Sequence, residues 1–179
     1  MAIKAKIMAA FWNGEFLIDW IDYKKHQIFN SLANLLAVWW DFTDKKQSKA
    51  ILNYARKYCL SRRQAGLNGF TLEENYPRYP FWRIPFWNHL LGMADYHNRG
   101  CLWLQPGIIY SLCLNKLGKK QQAQEMMSKI STTIVKFNGV YEIYEKNGRP
   151  VKRLFYQSES PFAWSSGLYI YAFYNIIKK

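Results

Sequence analysis

The chain predicts an all-α fold: helical hairpins joined at alternate connections by long, aromatic-rich loops. Three observations point there. Apolar residues recur at helical spacing in several windows, as at Leu32, Leu35, Leu36 and Trp39. Asn13-Gly14, Gly118 and Asn138-Gly139 stand where such windows end, as helix stops do. Between the hairpins, Ser61 to Trp87 carries Gly66, Gly69, Pro77, Pro80 and Pro85 among aromatics, and a loop that long in a compact domain is usually functional. At 179 residues the chain suits one domain, and folding should bury roughly 70% of the unfolded surface. Long loops at alternate connections of a closed helical ring would gather at one end and build a cleft. Twelve helices of about 12 residues would need well over ~200 residues, so residues 1–179 are expected to form a single partial domain, about half of such a ring.

The elements follow in order. Ala2 to Phe11 reads as a helix stopped by Asn13-Gly14, and Glu15 to Tyr23 as a short strand or extended loop. Asn30 or Ser31 can cap a helix through Trp40. Thr43 or Asp44 can cap another over Lys45 to Cys59, with Ile51, Leu52, Ala55 and Tyr58 on one face and lysines on the other. After the Ser61 to Trp87 loop come a short helix over Trp87 to Ala94, a turn over Asp95 to Gly100, and a helix over Gln105 to Leu117 closed by Gly118. Lys119 to Lys136 forms the next helix. Val140 to Glu145 is extended, with short β-hairpin segments expected near it at the cleft end, and Asn147 to Pro150 is a turn. Pro161 to Ile177 is the last helix.

Composition sets the chemistry. The 11 Phe, 8 Trp and 13 Tyr make up 18% of the chain, and 25 Lys and Arg against 12 Asp and Glu leave a net charge of +13. Aromatics with cations suit nucleic acid, but Lys24-Lys25, Lys45-Lys46, Arg62-Arg63, Lys119-Lys120 and Lys152-Arg153 are scattered at helix ends and turns with no single stripe. No nucleic-acid partner is therefore expected. Gly167 to Ile177 falls short of the ~20 apolar residues of a membrane span. The start lacks the pattern of a secretory signal, and Cys59, Cys101 and Cys113 show no CxxC spacing, so a reducing cytoplasm is the expected compartment. His26, His89 and His97 have no ligand spacing either, and neither metal nor cofactor is expected.

With so few carboxylates, each can be weighed. Asp41, Asp44, Glu73, Glu74 and Glu125 read as caps or solvated surface charge. Glu15, Asp19, Asp22, Asp95, Glu142, Glu145 and Glu159 lie among apolar or aromatic neighbours in expected loops, where a desolvated carboxyl suits acid or base work. On an extended Val140 to Glu145, Glu142 and Glu145 point to opposite faces.

Three segments carry a resemblance. They are Tyr141-Glu142-Ile143-Tyr144-Glu145 followed by Phe162-Ala163-Trp164-Ser165-Ser166-Gly167; Tyr96-His97-Asn98-Arg99-Gly100-Cys101-Leu102-Trp103; and Ile18-Asp19-Trp20-Ile21-Asp22 followed by Asn34-Leu35-Leu36-Ala37. Together, from about Phe16 to Tyr171, they resemble the C-terminal half of (α/α)6-toroid glycoside hydrolases: the amylo-α-1,6-glucosidase domain of glycogen debranching enzymes, the neutral invertases and the trehalases. Ala33 and Arg99 stand where those families often have Gly.

The resemblance implies an inverting hydrolysis of glucosidic or fructosidic bonds in an oligosaccharide or α-glucan, with two carboxyl groups ~6.5–9.5 Å apart. It makes Glu142 the general base and Asp19, Trp20, Asp95, His97, Asn98, Trp103, Glu159 and Trp164 substrate-binding residues. The general acid belongs to a segment preceding everything matched. The implied partners are a carbohydrate substrate and either a separately encoded N-terminal half or a second copy of the chain. The alternative is an inactive remnant or carbohydrate-binding module.

Overall fold

A computed structural model describes residues 3–60, 69–90 and 101–178. It corrects the expected class. The fold is mixed α/β, with three small antiparallel sheets among the helices, and not half of an all-α toroid. The extended stretches read at Glu15 to Tyr23 and Val140 to Glu145 do hold strands, but two of the pairings, Asn30 with Asn75 and Leu102 with Tyr144, are non-local, so no single window announces them.

The first sheet has the order β1-β2-β3, from Ile18–Ile21, Lys25–Asn30 and Asn75–Tyr76. Asp22 turns the β1–β2 hairpin by accepting the Lys24 N–H at 3.0 Å. Ile18 and Phe29 pair across it and are buried, with Phe16 edge-on to Phe29. Asn30 ends β2 and caps α2 (Ser31–Trp39), its side chain accepting the Ala33 N–H at 2.9 Å. The buried Asn34 of α2 reaches back to the Leu17 N–H and C=O, joining helix to hairpin. Before this sheet lies α1 (Ile3–Phe11).

A capping box between Asp44 and Gln47 starts α3 (Lys45–Tyr54). The helix runs on as a π-helical turn, Ala55–Cys59. A 3-10 turn at Phe81–Arg83 precedes α4 (Phe86–Leu90). The helix expected over Trp87 to Ala94 therefore begins one residue earlier, and its last four residues lie outside the described chain.

At the centre lies α5 (Leu104–Lys116), in which every residue from Leu104 to Leu114 is buried. It packs against α2, α3, α6 (Lys120–Phe137) and α7 (Ala163–Ile176). The α5–α6 hairpin turns at Gly118, whose φ of +76° suits glycine. Two residues that lead into α5, β4 (Leu102–Trp103), pair with β5 (Ile143–Tyr144), while β6 (Lys152–Arg153) pairs with β7 (Tyr156–Gln157).

The segment ahead of β3 crosses the start of α5 at close range. A Cβ on Gly107 would stand 2.5 Å from the Phe70 carbonyl oxygen and 2.9 Å from the Thr71 Cα. Only glycine lets these backbones touch. Thr71 locks the crossing, its hydroxyl donating to the Trp103 carbonyl at 2.5 Å and accepting the Gly107 N–H at 3.0 Å.

Candidate functional site

The crossing carries Glu74 to the mouth of α5. Its backbone is held from the other side by Ser31, whose N–H donates to the Glu74 carbonyl at 2.7 Å and whose hydroxyl donates to the Glu73 carbonyl at 2.5 Å. Clamped so, the Glu74 side chain faces a cavity of about 170 Å3 lined by Leu32, Trp103, Gln105, Pro106 and Trp164. Trp103 arrives on β4, Gln105 and Pro106 in the first turn of α5, Leu32 on α2 and Trp164 in the first turn of α7.

Among the described residues, several buried polar atoms at this cavity have no partner. Glu74 Oε2 is buried without a hydrogen-bond partner. So are both Nε2 and Oε1 of Gln105, a residue only 1% exposed. The nearby Ser165 hydroxyl on α7 is orphaned too. A buried polar group without a partner costs about 1–3 kcal/mol, so these atoms are open to water or to a ligand. Burial pushes the Glu74 carboxyl up to about 8, with the charge of Asp19 adding to the rise. At neutral pH it is mostly a neutral acid, able to donate a proton as well as accept one.

Asp19 and Trp20 face a second, more open cavity of about 350 Å3 with Tyr79, Arg83 and Ile84. The Tyr79 hydroxyl donates to Asp19, whose carboxyl burial raises from its usual range. Trp20 stacks on His26 at 3.9 Å between ring centroids and has the Arg83 guanidinium 5.6 Å away, so its ring is already engaged.

Glu142 lies beside the junction without lining either cavity among the described residues. Its neighbour Ile143 pairs with Trp103, its N–H donates to the Glu159 carbonyl at 3.0 Å, and its carboxylate accepts the Tyr156 hydroxyl. Glu145, on the other face, accepts two bonds from Arg153 at 2.8 Å. The Glu159 side chain is exposed at the surface. Asp95, His97 and Asn98 lie outside the described residues.

Of the expected site residues, then, Trp103 and Trp164 meet in one cavity, Asp19 and Trp20 in another, and Glu142 and Glu159 are tied through backbone. Glu74 and Gln105 were missed. From its sequence context Glu74 reads as a cap or solvated charge, although it stands in the aromatic loop directly before Asn75-Tyr76-Pro77. Gln105 carried a plainer signal, as a polar residue in the otherwise apolar run from Cys101 to Ile109. Among the described residues no cluster of three His, Cys, Asp or Glu could hold a metal, and no helix is long and apolar enough to cross a membrane. No protein-family model and no curated protein matches the chain.

Proposed function

We propose that the chain binds carbohydrate and belongs to a glycoside-hydrolase system. The observation that carries this reading is the Trp103–Trp164 cavity with its unpaired Glu74 and Gln105. Pyranose rings present apolar C–H faces that pack on indoles and hydroxyls that need donors and acceptors at the rim, and the cavity offers both. In this reading Glu142 is the general base, its carboxylate oriented by the Tyr156 hydroxyl, and the acid that protonates the leaving oxygen comes from outside these residues. The exposed Ile170, Tyr171 and Tyr174 of α7 support pairing with a second chain, either a separately encoded N-terminal segment or another copy.

A binding module without turnover is the second reading. What favours it is the position of Glu142, which is hydrogen-bonded to Tyr156 and does not line the Trp103–Trp164 cavity. One set of experiments tests both. Titration of the chain with sucrose, trehalose and an α-1,6-linked glucan should quench tryptophan fluorescence, and Trp164→Ala should abolish the quench. Co-expression with the product of an adjacent reading frame should then give hydrolysis that Glu142→Gln removes. Binding without hydrolysis selects the module; full turnover by the Glu142→Gln pair rejects Glu142 as base.

A further inference from the structure

Resting on the carbohydrate reading of the Trp103–Trp164 cavity, we infer that Glu74 and Gln105 act as a paired clamp for one uncharged, hydroxyl-bearing ring, with Glu74 engaging it through its acid O–H. The hydrogen-bonding inventory leads there. The Gln105 amide offers two N–H donors and one carbonyl acceptor, all at a position 1% exposed and with neither terminal atom partnered. Glu74 as an acid adds one O–H donor and one carbonyl acceptor, and its inner oxygen is likewise unpartnered. A ligand that meets this set must both donate and accept at adjacent atoms. Neighbouring hydroxyls of a sugar ring do so.

Other ligand classes fit less well. A carboxylate or phosphate would bring negative charge against the Gln105 carbonyl and the acid carbonyl, with the charge of Asp19 close enough to act on Glu74. An organic cation would suit the indoles but would find Glu74 uncharged and Gln105 half used. The cavity, about 170 Å3, is smaller than the ~300 Å3 at which drug-sized sites begin, so it holds a single ring and not a chain. A longer glycan would enter by one end residue.

The surroundings make the clamp pH-sensitive. From the elements packed around the cavity, α2 supplies Leu32, α5 Gln105 and Pro106, and α7 Trp164, none of them ionisable. On its own segment Glu74 follows Glu73, which is held by Arg78 through two bonds of 2.7 and 2.9 Å. From β1, Asp19 is the charge that bears on Glu74, and Tyr79 donates to Asp19. Ionisation of Glu74 would remove the O–H donor and leave a buried carboxylate beside Asp19, so the ring is held below about pH 8 and released above it.

The test is a fluorescence titration of the full chain with glucose, sucrose and trehalose at pH 6 and pH 9.5. The wild type should bind at least tenfold more weakly at the higher pH, whereas Glu74→Gln should bind equally at both. Asp19→Asn, which removes the charge that adds to the burial-driven rise of the Glu74 carboxyl, should move the midpoint of the loss to somewhat lower pH. Gln105→Leu should weaken binding at least tenfold at pH 6 with the far-ultraviolet circular dichroism unchanged. If sugar binds equally at both pH values, or Glu74→Gln keeps the drop, the clamp is wrong while the carbohydrate reading stands. Absence of any saturable binding at pH 6 overturns both. Tighter binding of tetramethylammonium above pH 8 than of any sugar below it also overturns the clamp, because it marks a cation site.

Discussion

Glu74 and Glu142 flank the same junction, the passage from β4 into α5, and they are held in opposite ways. Three residues before Glu74, Thr71 bonds to Trp103 and Gly107; immediately after Glu142, Ile143 pairs with Trp103. The Glu74 backbone is clamped by Ser31 while its carboxyl is left without a partner at its buried oxygen. The Glu142 carboxylate has the Tyr156 hydroxyl, and its neighbour Glu145 has a two-bond ion pair with Arg153. One arm spends its hydrogen bonds on placing a side chain and leaves the side chain itself open; the other satisfies the side chain. An open polar group held by a rigid backbone is the better mark of a binding site.

The strongest way to break the comparison is to pry the two backbones apart at Gly107. In Gly107→Ala the new methyl would meet the Phe70 carbonyl oxygen and the Thr71 Cα, and backbone cannot rotate out of the way. The arm carrying Glu74 must lift from α5, with a loss of about 3 kcal/mol, typical of overpacking in a close-packed core. Urea denaturation measures the loss, and the tryptophan response to sugar should go with it. A variant as stable as the wild type would show that Glu74 does not depend on this crossing.

A smaller effect separates the two carboxyls by titration. The Glu74 carboxyl stands near 8 in the fold against 4.5 for the free group, so the proton it binds favours the folded state. That contribution is complete below about 4.5 and is lost as the pH rises through about 8. Glu74→Gln carries no titrating group there. It should match the wild type near pH 5 and exceed it by about 2 kcal/mol at pH 9, allowing for relaxation around a group that is not fully buried. Equal offsets at both pH values would mean that Glu74 titrates as an ordinary surface glutamate.

How much of this was legible depended on how far along the chain the deciding contact lies. The helices α2, α3, α5 and α6 could be read because their signals are local: Asn30 and Asp44 cap within three residues, and Gly118 and Asn138 take the left-handed backbone at the helix ends. The strands could be read only in part: the stretches holding β1 and β5 read as extended, but not what they pair with. Asn75 and Tyr76 are a strand only because Phe29 and Asn30 lie beside them, and two residues show no alternation to read. The same distance hid Glu74, whose burial follows from Ser31, more than forty residues away. Trp103 and Trp164 were read as ligand contacts by resemblance, and they do share a cavity, though with Glu74 and Gln105 in place of the expected Glu142.

The gentlest probe lies on the Glu142 arm. A Cβ on Gly139 would also stand only 2.5 Å from its nearest neighbour, the same distance as at Gly107. Yet here the obstacle is the hydroxyl of Ser160, an exposed residue that can turn about one bond, with the Tyr141 ring edge next at 3.1 Å. Gly139 also has no left-handed backbone that a side chain would strain. Gly139→Ala should therefore cost only about 0.5 kcal/mol in urea denaturation, a fraction of the Gly107→Ala loss. Removing the obstacle identifies the cause. In a double-mutant cycle Ser160→Ala should restore most of the loss, giving a coupling of about 0.5 kcal/mol, because the two sites touch. The sugar response should survive both changes, since the Glu74 arm is anchored through Thr71 and Ser31 and not through this turn. A Gly139→Ala variant that lost sugar binding while staying folded would show that the two arms of the junction move as one.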